Sequence, residues 1–264
     1  MSDVSSQRWR CVCAYDGTEF KGWQKQTNGE AVQNKIEDAL SGIFGLSVRT
    51  IGAGRTDAGV HARAQVFHFD GSWRHGSNAL LQALRVSLPM GISPRKIEPV
   101  STNFHAHLSA RGKRYLYRIC KGWAMPADDR YVLSMKGRSL HLEVMRQAAS
   151  YFLGTHDFAA FAANRGNGDN EPTVRKVWRM EWRDQGGEFH LITEAEGYLY
   201  KMVRSMVGTM LDVGLGRVEP REIPEILKTK KRTARVVSAP AKGLCMEKVF
   251  YRLPKLAWNE GNRD

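Results

Sequence analysis

The chain has 264 residues, enough to bury a hydrophobic core in one large domain or two small ones. Its 40 Lys and Arg residues outnumber its 27 Asp and Glu residues, which gives a formal charge of +13. This excess favours a polyanionic partner such as nucleic acid, because each phosphate that is neutralised releases condensed counterions; the alternative is that the charge only keeps the protein soluble. No stretch approaches 18 uninterrupted apolar residues, and the first ten residues lack the apolar segment of a secretion signal, so neither membrane spanning nor secretion is supported.

The first hundred residues predict the element order β-α-β-β-α-β. Alternation through Trp9–Tyr15 indicates a strand, and apolar residues from Val32 to Ile43 follow helical spacing with Lys35 and Glu37 facing outward. Ser77 is a candidate N-cap for a second helix that stops at Pro89, and an extended segment at 92–100 follows. The order is typical of a ferredoxin-like layer with helices on one face of the sheet.

The stretch from Ile51 to Phe69 is the centre of the functional prediction. Three glycines fall within eight positions, and between them lie Arg55, Thr56 and Asp57. Residues 65–69 then alternate polar and apolar, as in a half-buried strand. Glycine allows close approach of a ligand to the backbone, so this pattern favours a functional loop between two strands, while a plain hairpin with a solvated Arg and Asp is the competing interpretation.

The second part of the chain predicts a similar order of elements. Alternation at 113–119 indicates a strand with two tyrosines on one face, and a helix from Leu142 is expected to close at Gly154. Two strands joined at Gly186-Gly187 precede a Met-rich helix at 200–213, whose methionines we interpret as core. A shorter helix follows Pro220, a final strand spans 246–253, and two segments, 164–170 and the last ten or so residues, are predicted to be loops.

Few kinds of catalytic centre fit these residues. No phosphate-binding glycine motif follows a strand, and neither the eight histidines nor the four cysteines have metal-ligand spacing. Cys11 and Cys13 are expected to face the core, without disulfides, as in a reducing cytoplasm. His61 is a weak candidate for acid–base work, so Asp57 beside arginines is the main candidate, as a nucleophile or base for chemistry on a nucleic-acid base or sugar.

At this point the sequence resembles the tRNA pseudouridine synthase A family. Residues 54–61, G-R-T-D-A-G-V-H, resemble its catalytic signature. Five further motifs resemble the family in the same order, between about residues 15 and 251: Tyr15-Asp16-Gly17 with Gly22-Trp23-Gln24; Phe104-His105-Ala106 with Ser109-Ala110 and Arg114-Tyr115-Leu116-Tyr117; Gly154-Thr155-His156-Asp157-Phe158 with Phe161; Met202-Val203-Arg204 with Val207-Gly208; and Ala239-Pro240 with Gly243-Leu244.

The resemblance implies an α+β pseudouridine synthase fold, in which two RRM-like or ferredoxin-like halves, 1–104 and 105–264, share one mostly antiparallel sheet with flanking helices. It implies a cytoplasmic, homodimeric enzyme without metal or cofactor that converts uridine to pseudouridine at positions 38 to 40 of the tRNA anticodon stem-loop. The N1–C1′ bond breaks, the uracil rotates, and a C5–C1′ bond forms.

The resemblance also implies roles for individual residues. Asp57 corresponds to the catalytic carboxylate, with attack on the sugar or on the base left open. Tyr115 is expected to stack on the uracil and is a candidate acceptor of the C5 proton. Arg204 is expected to pair with Asp57, Arg55 to help expel the target nucleotide, and Leu244 to contact the substrate.

Two positions depart from the family pattern. His107 stands where the family often has Arg, and a neutral imidazole does not replace a guanidinium at a phosphate. Tyr200-Lys201 stand where some members have Arg-His. For tRNA binding we predict a charged cleft with two basic segments, one containing Lys21 and Lys25 and the other containing Lys230, Lys231 and Arg232.

Two other classes of function fit part of this pattern. A non-catalytic RNA-binding protein of RRM-like architecture accounts for the charge and the aromatic residues but not for the G-R-T-D context of Asp57. A nucleic-acid glycosylase that uses Asp57 at the anomeric carbon would release free base. Replacement of Asp57 separates the first alternative from an isomerase, and a search for free uracil separates the second.

Overall fold

The computed structural model describes residues 6–163 and 172–253. The predicted loop at 164–170 and the last ten residues of the predicted tail lie outside the described residues. The first part of the chain confirms the predicted element order. Its elements are β1 (Gln7–Tyr15), α1 (Val32–Phe44), β2 (Ile51–Gly52), β3 (His61–Gly71), α2 (Gly76–Ser87) and β4 (Ile92–Val100).

The second part adds six strands and three helices among the described residues. They are β5 (Gly112–Cys120), β6 (Leu133–Ser134), α3 (Leu142–Ser150), β7 (Gly154–Asp157), β8 (Val174–Asp184), β9 (Glu188–Ala195), α4 (Met202–Gly214), α5 (Glu222–Thr229) and β10 (Leu244–Phe250). The buried methionines of α4 confirm that they belong to the core. Within 6–163 and 172–253, no helix combines the length and the apolar character needed to cross a membrane.

The described strands form one mostly antiparallel sheet, as the resemblance implied. The strand order is β4-β1-β3-β10-β5-β9-β8-β7, with β2 paired to β3 and β6 paired to β5. Strand β10 joins the two parts of the sheet, because it runs antiparallel to β5 and parallel to β3 through Cys245–His61 and Met246–Ala62. This register brings Leu244, at the start of β10, next to the loop that leads into β3.

The half-buried character predicted for residues 65–69 is wrong, because all five are buried. Strand β3 lies inside the sheet, between β1 and β10, and its polar side chains are covered by other segments. Gln65 donates to the Gly54 carbonyl at 2.7 Å, and His68 Nδ1 accepts from the Ala106 amide at 3.1 Å. These hydrogen bonds allow polar residues to occupy a buried face of the strand.

Three helix predictions also need correction. Glu37 does not face outward: only 4% of it is exposed, because it accepts hydrogen bonds from Gln33, Thr50 and Lys25. Ser77 is not an N-cap, since α2 begins at Gly76 and Ser77 lies in the first turn. Gly154 does not close α3, which ends at Ser150; with a φ of +99° it begins β7, a strand too short to show an alternating pattern.

Candidate active site

A cleft of about 1150 Å³ opens over the loop between β2 and β3. The structure brings together there the residues that the sequence placed in the catalytic centre and one of the predicted RNA-binding lysines. The cleft is lined by Asp57, Arg55, Tyr115, Arg204, Leu244 and Lys21. These residues come from the loop at 53–60, from β5, from α4, from the start of β10 and from the loop after β1.

Asp57 is paired with Arg204 at the floor of this cleft. Arg204 Nη1 donates to Asp57 Oδ2 at 2.9 Å, although the two residues are 147 positions apart in the chain. Their side chains are 18% and 16% exposed, so the pair is partly shielded from water yet reachable from the cleft. A guanidinium at this distance fixes the direction of the carboxylate through a charge-assisted hydrogen bond.

Arg204 is itself held by the segment before β10. Its Nε donates to the Ala239 carbonyl at 2.8 Å, while the Ala239 amide donates to the Arg204 carbonyl at 2.8 Å. The segment lies so close to α4 that a Cβ on Gly208 would be 1.9 Å from the Val237 carbonyl oxygen. Ala239 therefore anchors Arg204 beside Asp57, and Gly208 allows the close packing that brings Ala239 to the arginine.

The loop that carries Asp57 is fixed at Thr56 by Tyr15 and Trp23, which belong to the first family motif of the chain. Tyr15 and Thr56 share a hydrogen bond of 2.7 Å between their hydroxyl groups, and the Trp23 amide donates to the Thr56 carbonyl at 3.0 Å. Gly22 has a φ of +86°, and a Cβ there would lie 2.6 Å from the Thr56 oxygen. Glycine is thus required both by the left-handed backbone and by the close approach of the two loops.

Tyr115 is 6% exposed and lies on β5 against a second tyrosine that the sequence analysis did not single out. The Tyr198 ring is perpendicular to it, with centroids 5.2 Å apart, and the Tyr198 hydroxyl shares a 2.9 Å hydrogen bond with Thr193. Burial, together with Tyr15, Tyr198 and the Asp57 carboxylate, raises the pKa of Tyr115 well above its usual value. The phenol is therefore neutral at pH 7, and its ring is held for stacking.

Several cationic side chains line the cleft, among them Lys21, Arg55 and Lys201. Among residues 6–163 and 172–253, Lys21, Arg55 and Lys201 form no ion pair, whereas many other Lys and Arg side chains do. Lys201 adopts a φ of +58°, which is rare for a residue with a side chain, and its ammonium lies 5.2 Å from the Tyr200 ring. The departure at Tyr200-Lys201 therefore places a cation at the cleft.

His107, the other departure, also lines the cleft. Its Nδ1 lies 2.9 Å from the Ala53 carbonyl oxygen, and since a carbonyl only accepts, Nδ1 carries the hydrogen. The ring is thereby oriented by the same loop that carries Asp57. A neutral imidazole in this position offers its second nitrogen as a hydrogen-bond acceptor and not as a fixed positive charge.

The remaining predicted RNA-binding residues lie outside the lining of the cleft. Lys25 pairs with Glu37 at 2.9 Å, and Lys230 lies 3.4 Å from Asp157. Arg232 donates to the hydroxyl groups of Ser205 and Ser238 at 2.8 and 3.1 Å. Lys231 is exposed beside them. RNA binding by these four residues stays a prediction, and Lys25 and Arg232 already have intramolecular partners.

His61 is not brought into the cleft. Its Nδ1 accepts from the Gly17 amide at 3.0 Å, and its Nε2 lies 2.9 Å from the Arg130 carbonyl oxygen. These two contacts specify one neutral tautomer, because the first needs an acceptor and the second needs a donor. The proximity of Nδ1 to Asp16 at 3.2 Å is therefore not an ion pair in this arrangement. We assign His61 a role in holding the turn after β1.

No metal centre is found in the part of the chain that the structure describes. Residues 6–163 and 172–253 contain no group of three or more His, Cys, Asp or Glu side chains placed to hold an ion. All four cysteines are free thiols, with Cys11 and Cys13 buried as predicted.

The fold and the cleft define an α+β protein with an ion-paired carboxylate beside the central strands of one mostly antiparallel sheet. A family model described as tRNA pseudouridine synthase matches residues 12–108 and 148–252. The chain belongs to this family. Asp57 and Arg204 fall inside the matched ranges and Tyr115 falls between them.

Relatives match along nearly the whole chain. The tRNA pseudouridine synthase A of Acetivibrio thermocellus is 40% identical over 245 residues, which cover 92% of this chain and 98% of that protein. The tRNA pseudouridine synthase A 2 of Clostridium perfringens is 39% identical, with 90% and 96% covered. The tRNA pseudouridine synthase A of Geobacillus kaustophilus is 36% identical, with 93% and 95% covered.

Proposed function

We propose that this protein isomerises uridine to pseudouridine at positions 38 to 40 in the anticodon stem-loop of tRNA, with Asp57 as the catalytic carboxylate. The observation that carries the proposal is the 2.9 Å pair between Asp57 and Arg204 at the floor of an open cleft, in a chain that belongs to the tRNA pseudouridine synthase family. A shielded, oriented carboxylate is suited to covalent or acid–base work on a nucleoside.

The proposed reaction conserves all atoms of the nucleotide. The N1–C1′ bond breaks, the uracil turns within the cleft, a C5–C1′ bond forms, and the hydrogen on C5 leaves as a proton while N1 gains one. Asp57 acts through its carboxylate on the sugar or on the base, and Arg204 orients that carboxylate by the hydrogen bond between them. No redox partner is required, because the reactant and the product have the same composition.

Tyr115 provides the ring on which the uracil stacks. Because burial raises the pKa of Tyr115, a neutral phenol must lose its own proton before it accepts one from C5, so the raised pKa favours stacking over proton abstraction. Leu244 supplies an apolar contact beside the stacked base. Arg55, exposed at the rim, is placed to fill the space that a flipped base leaves in its stem, which helps to offset the cost of unstacking.

The tRNA backbone is proposed to follow the charged mouth of the cleft. Lys21 lies there without an ion pair among the described residues, so its charge is available to a phosphate. Lys25, Lys230, Lys231 and Arg232, which all lie beyond the lining of the cleft, are proposed as peripheral contacts, and the last three are close to one another in sequence. Charge reversal in the Lys228–Arg235 run is expected to weaken binding and to reduce its dependence on salt; equal affinity at several salt concentrations would exclude this segment.

The remaining proposals concern organisation. Strand order supports a division into halves 1–104 and 105–264. In the first half the neighbouring strands are β4, β1, β3 and β2, and in the second half β10, β5, β9 and β8 follow the same order, with the last strand of the half first. We further propose a cytoplasmic homodimer that needs neither metal nor cofactor, as the family resemblance implies. Light scattering after gel filtration measures the mass of the particle, and activity after EDTA treatment is expected to equal that of the untreated protein.

The deciding experiment is tritium release from tRNA labelled at uridine C5. Pseudouridine formation leaves the mass of unlabelled RNA unchanged but must expel the C5 hydrogen. The wild type is compared with Asp57→Asn, which preserves shape but cannot ionise, and with Asp128→Asn, which changes an exposed carboxylate outside the cleft. Release by the wild type and by Asp128→Asn, but not by Asp57→Asn, is the expected result.

Each other outcome points to a different function. No release by any variant, with tRNA binding intact, indicates a non-catalytic RNA-binding protein. Equal release by the wild type and Asp57→Asn would remove Asp57 from the catalytic role. Free uracil in the supernatant would indicate a glycosylase, since an isomerase returns the base to the same ribose.

A further inference from the structure

One face of α1 carries three polar side chains that are almost completely buried. Gln33, Asn34 and Glu37 are 7%, 6% and 4% exposed, in a helix whose other buried positions are apolar. Burial of an ionised carboxylate and two amides costs free energy unless every group has partners, so such a cluster needs a structural or functional reason. Here each side chain binds the residue before β2, or the loop at 22–26 that contacts the loop carrying Asp57, or both.

Glu37 connects two of these segments. Its Oε1 accepts from the Thr50 amide at 2.8 Å and from the Gln33 side chain at 3.0 Å, and its Oε2 accepts from Lys25 Nζ at 2.9 Å. Gln33 also donates to the Thr50 carbonyl at 2.8 Å. Both backbone groups of Thr50 are therefore held by α1, directly before β2 and the catalytic loop.

The second segment is the loop at 22–26. Its Lys25 amide donates to the Gln33 side chain at 3.0 Å, and Gln26 exchanges two hydrogen bonds of 3.0 Å with the Asn34 amide group. Three residues before Gln26, Trp23 donates its amide to the Thr56 carbonyl at 3.0 Å. The residue that precedes Asp57 is thus supported by a loop that α1 fixes.

We infer that Gln33, Asn34 and Glu37 are positioning residues for the isomerisation: together they clamp the backbone at two points before Asp57, at Thr50 and, through Trp23, at Thr56, and so set the direction of the Asp57 carboxylate toward Arg204. This inference rests on the proposed function. None of the three side chains needs to touch the reacting base, because their effect reaches Asp57 through Thr50 and through Trp23 and Thr56. Lys25 is then an ion-pair partner in this clamp.

The charge of Glu37 is stable at neutral pH. Burial alone would raise the pKa of Glu37, but hydrogen bonds from Lys25, Thr50 and Gln33 hold it below its usual value. The two oxygens of the ionised carboxylate together accept these three hydrogen bonds, whereas the NH2 group of an amide in the same place cannot accept. Glu37→Gln therefore removes the charge and loses at least one hydrogen bond while it keeps the volume of the side chain.

The test compares Glu37→Gln with Asp38→Asn, which removes an exposed carboxylate from the next position of the same helix. Because small displacements of a catalytic group are costly, kcat for tritium release is expected to fall about 10- to 100-fold in Glu37→Gln, with KM and tRNA affinity within about twofold of the wild type. Asp38→Asn is expected to match the wild type. Unchanged kcat, or a loss of activity equal to the unfolded fraction, would overturn the inference.

A readout that does not depend on activity accompanies the kinetics. Hydrogen exchange, followed by mass spectrometry, is expected to show faster exchange in residues 50–60 of Glu37→Gln and not of Asp38→Asn. If the wild type releases no tritium, the proposed function fails whatever the exchange data show. If the wild type is active and exchange in Glu37→Gln equals the wild type, the clamp is refuted.

Two more variants keep the inference testable if Glu37→Gln folds poorly. Asn34→Ala leaves the buried charge intact and removes both bonds to Gln26, and it is expected to lower kcat at constant KM. Lys25→Met is also expected to lower kcat. Its effect and that of Glu37→Gln should not add in the double variant, because each single variant already removes the ion pair between Lys25 and Glu37. A higher KM with unchanged kcat in Lys25→Met would assign Lys25 to RNA and remove it from the clamp, and unchanged kcat in Asn34→Ala would overturn the role of that amide.

Discussion

The pair between Arg204 and Asp57 makes the sharpest prediction, for the variant Arg204→Lys. Arginine uses two different nitrogens here, with Nη1 on Asp57 at 2.9 Å and Nε on the Ala239 carbonyl at 2.8 Å. A lysine keeps the charge but has one ammonium group, which cannot reach both acceptors in the geometry of a planar guanidinium. The variant therefore loses either the orientation of Asp57 or the anchor of the arginine side chain.

The size of the effect follows from the exposure of the pair. The side chains of Arg204 and Asp57 are 16% and 18% exposed. The expected energy of this ion pair therefore lies between that of a solvent-exposed pair, which contributes little, and that of a fully buried pair. One lost hydrogen bond to a charged group costs about 2 kcal/mol, which corresponds to about 30-fold in rate if it acts in the transition state. We expect kcat for Arg204→Lys to fall by about this factor, while tRNA affinity stays close to that of the wild type.

The assay is single-turnover tritium release with saturating protein, together with a filter-binding measurement of tRNA affinity. Arg217→Lys is the matched control, because Arg217 also pairs with an aspartate, Asp212 at 3.1 Å, but is 61% exposed. It is expected to leave the rate unchanged. A wild-type rate in Arg204→Lys, or an equal loss in both variants, would refute the assignment of Arg204 as the group that orients Asp57.

Three further outcomes are expected. Gly22→Ala should lower both kcat and the free energy of unfolding, because the added Cβ would lie 2.6 Å from the Thr56 oxygen and the backbone φ is +86°. Thermal unfolding and kinetics check this prediction, and a stable, active variant would contradict it. Lys21→Glu should weaken tRNA binding and reduce the slope of log affinity against log salt concentration by about one to two phosphate contacts. Binding titrations at three ionic strengths measure this slope, and an unchanged slope would place Lys21 away from the RNA. Although partial burial alone would raise the pKa of Asp16, hydrogen bonds from Thr18 and Tyr131 lower it from 3.8 to about 2. The stabilising effect of the ionised form is therefore complete above pH 3.8 and is lost as the pH falls through about 2. Asp16→Asn should therefore lower the free energy of unfolding in urea at pH 7 but much less at pH 2, and an equal deficit at both would exclude the ionised form as the cause.

Local patterns predicted the long elements because their periodicity lies within one segment. Strands β1 and β5 were found from alternation, and β4 was predicted as an extended segment with the observed bounds of 92–100. Strands β6 and β7 have two and four residues, too few for a period, and they form by pairing with β5 and β8. The position of β10 between β3 and β5 depends on pairings far apart in sequence, which no window of residues reveals.

The active-site cleft was predicted from motifs, not from spacing. Nothing in the separation of 147 residues indicates that Asp57 and Arg204 meet; the resemblance to the family supplied that pairing, and the geometry agrees with it. Glu37 was misplaced because a charged residue on a helix was assumed to face water. A usable signal existed, since Gln33 lies one turn before Glu37 and the buried Leu40 one turn after it, which places the carboxylate beside the apolar face.

Asp57, the proposed catalytic carboxylate, is held from both parts of the sheet at once. From one side, α1 and the loop after β1 fix Thr50 and Thr56; from the other, α4 and the segment at 236–240 fix Arg204. A carboxylate oriented before the substrate arrives does not have to be ordered during the reaction, which is how preorganised charge lowers a barrier. The same arrangement makes Asp57 sensitive to changes that never touch the cleft, so substitutions in either support should lower kcat more than they raise KM.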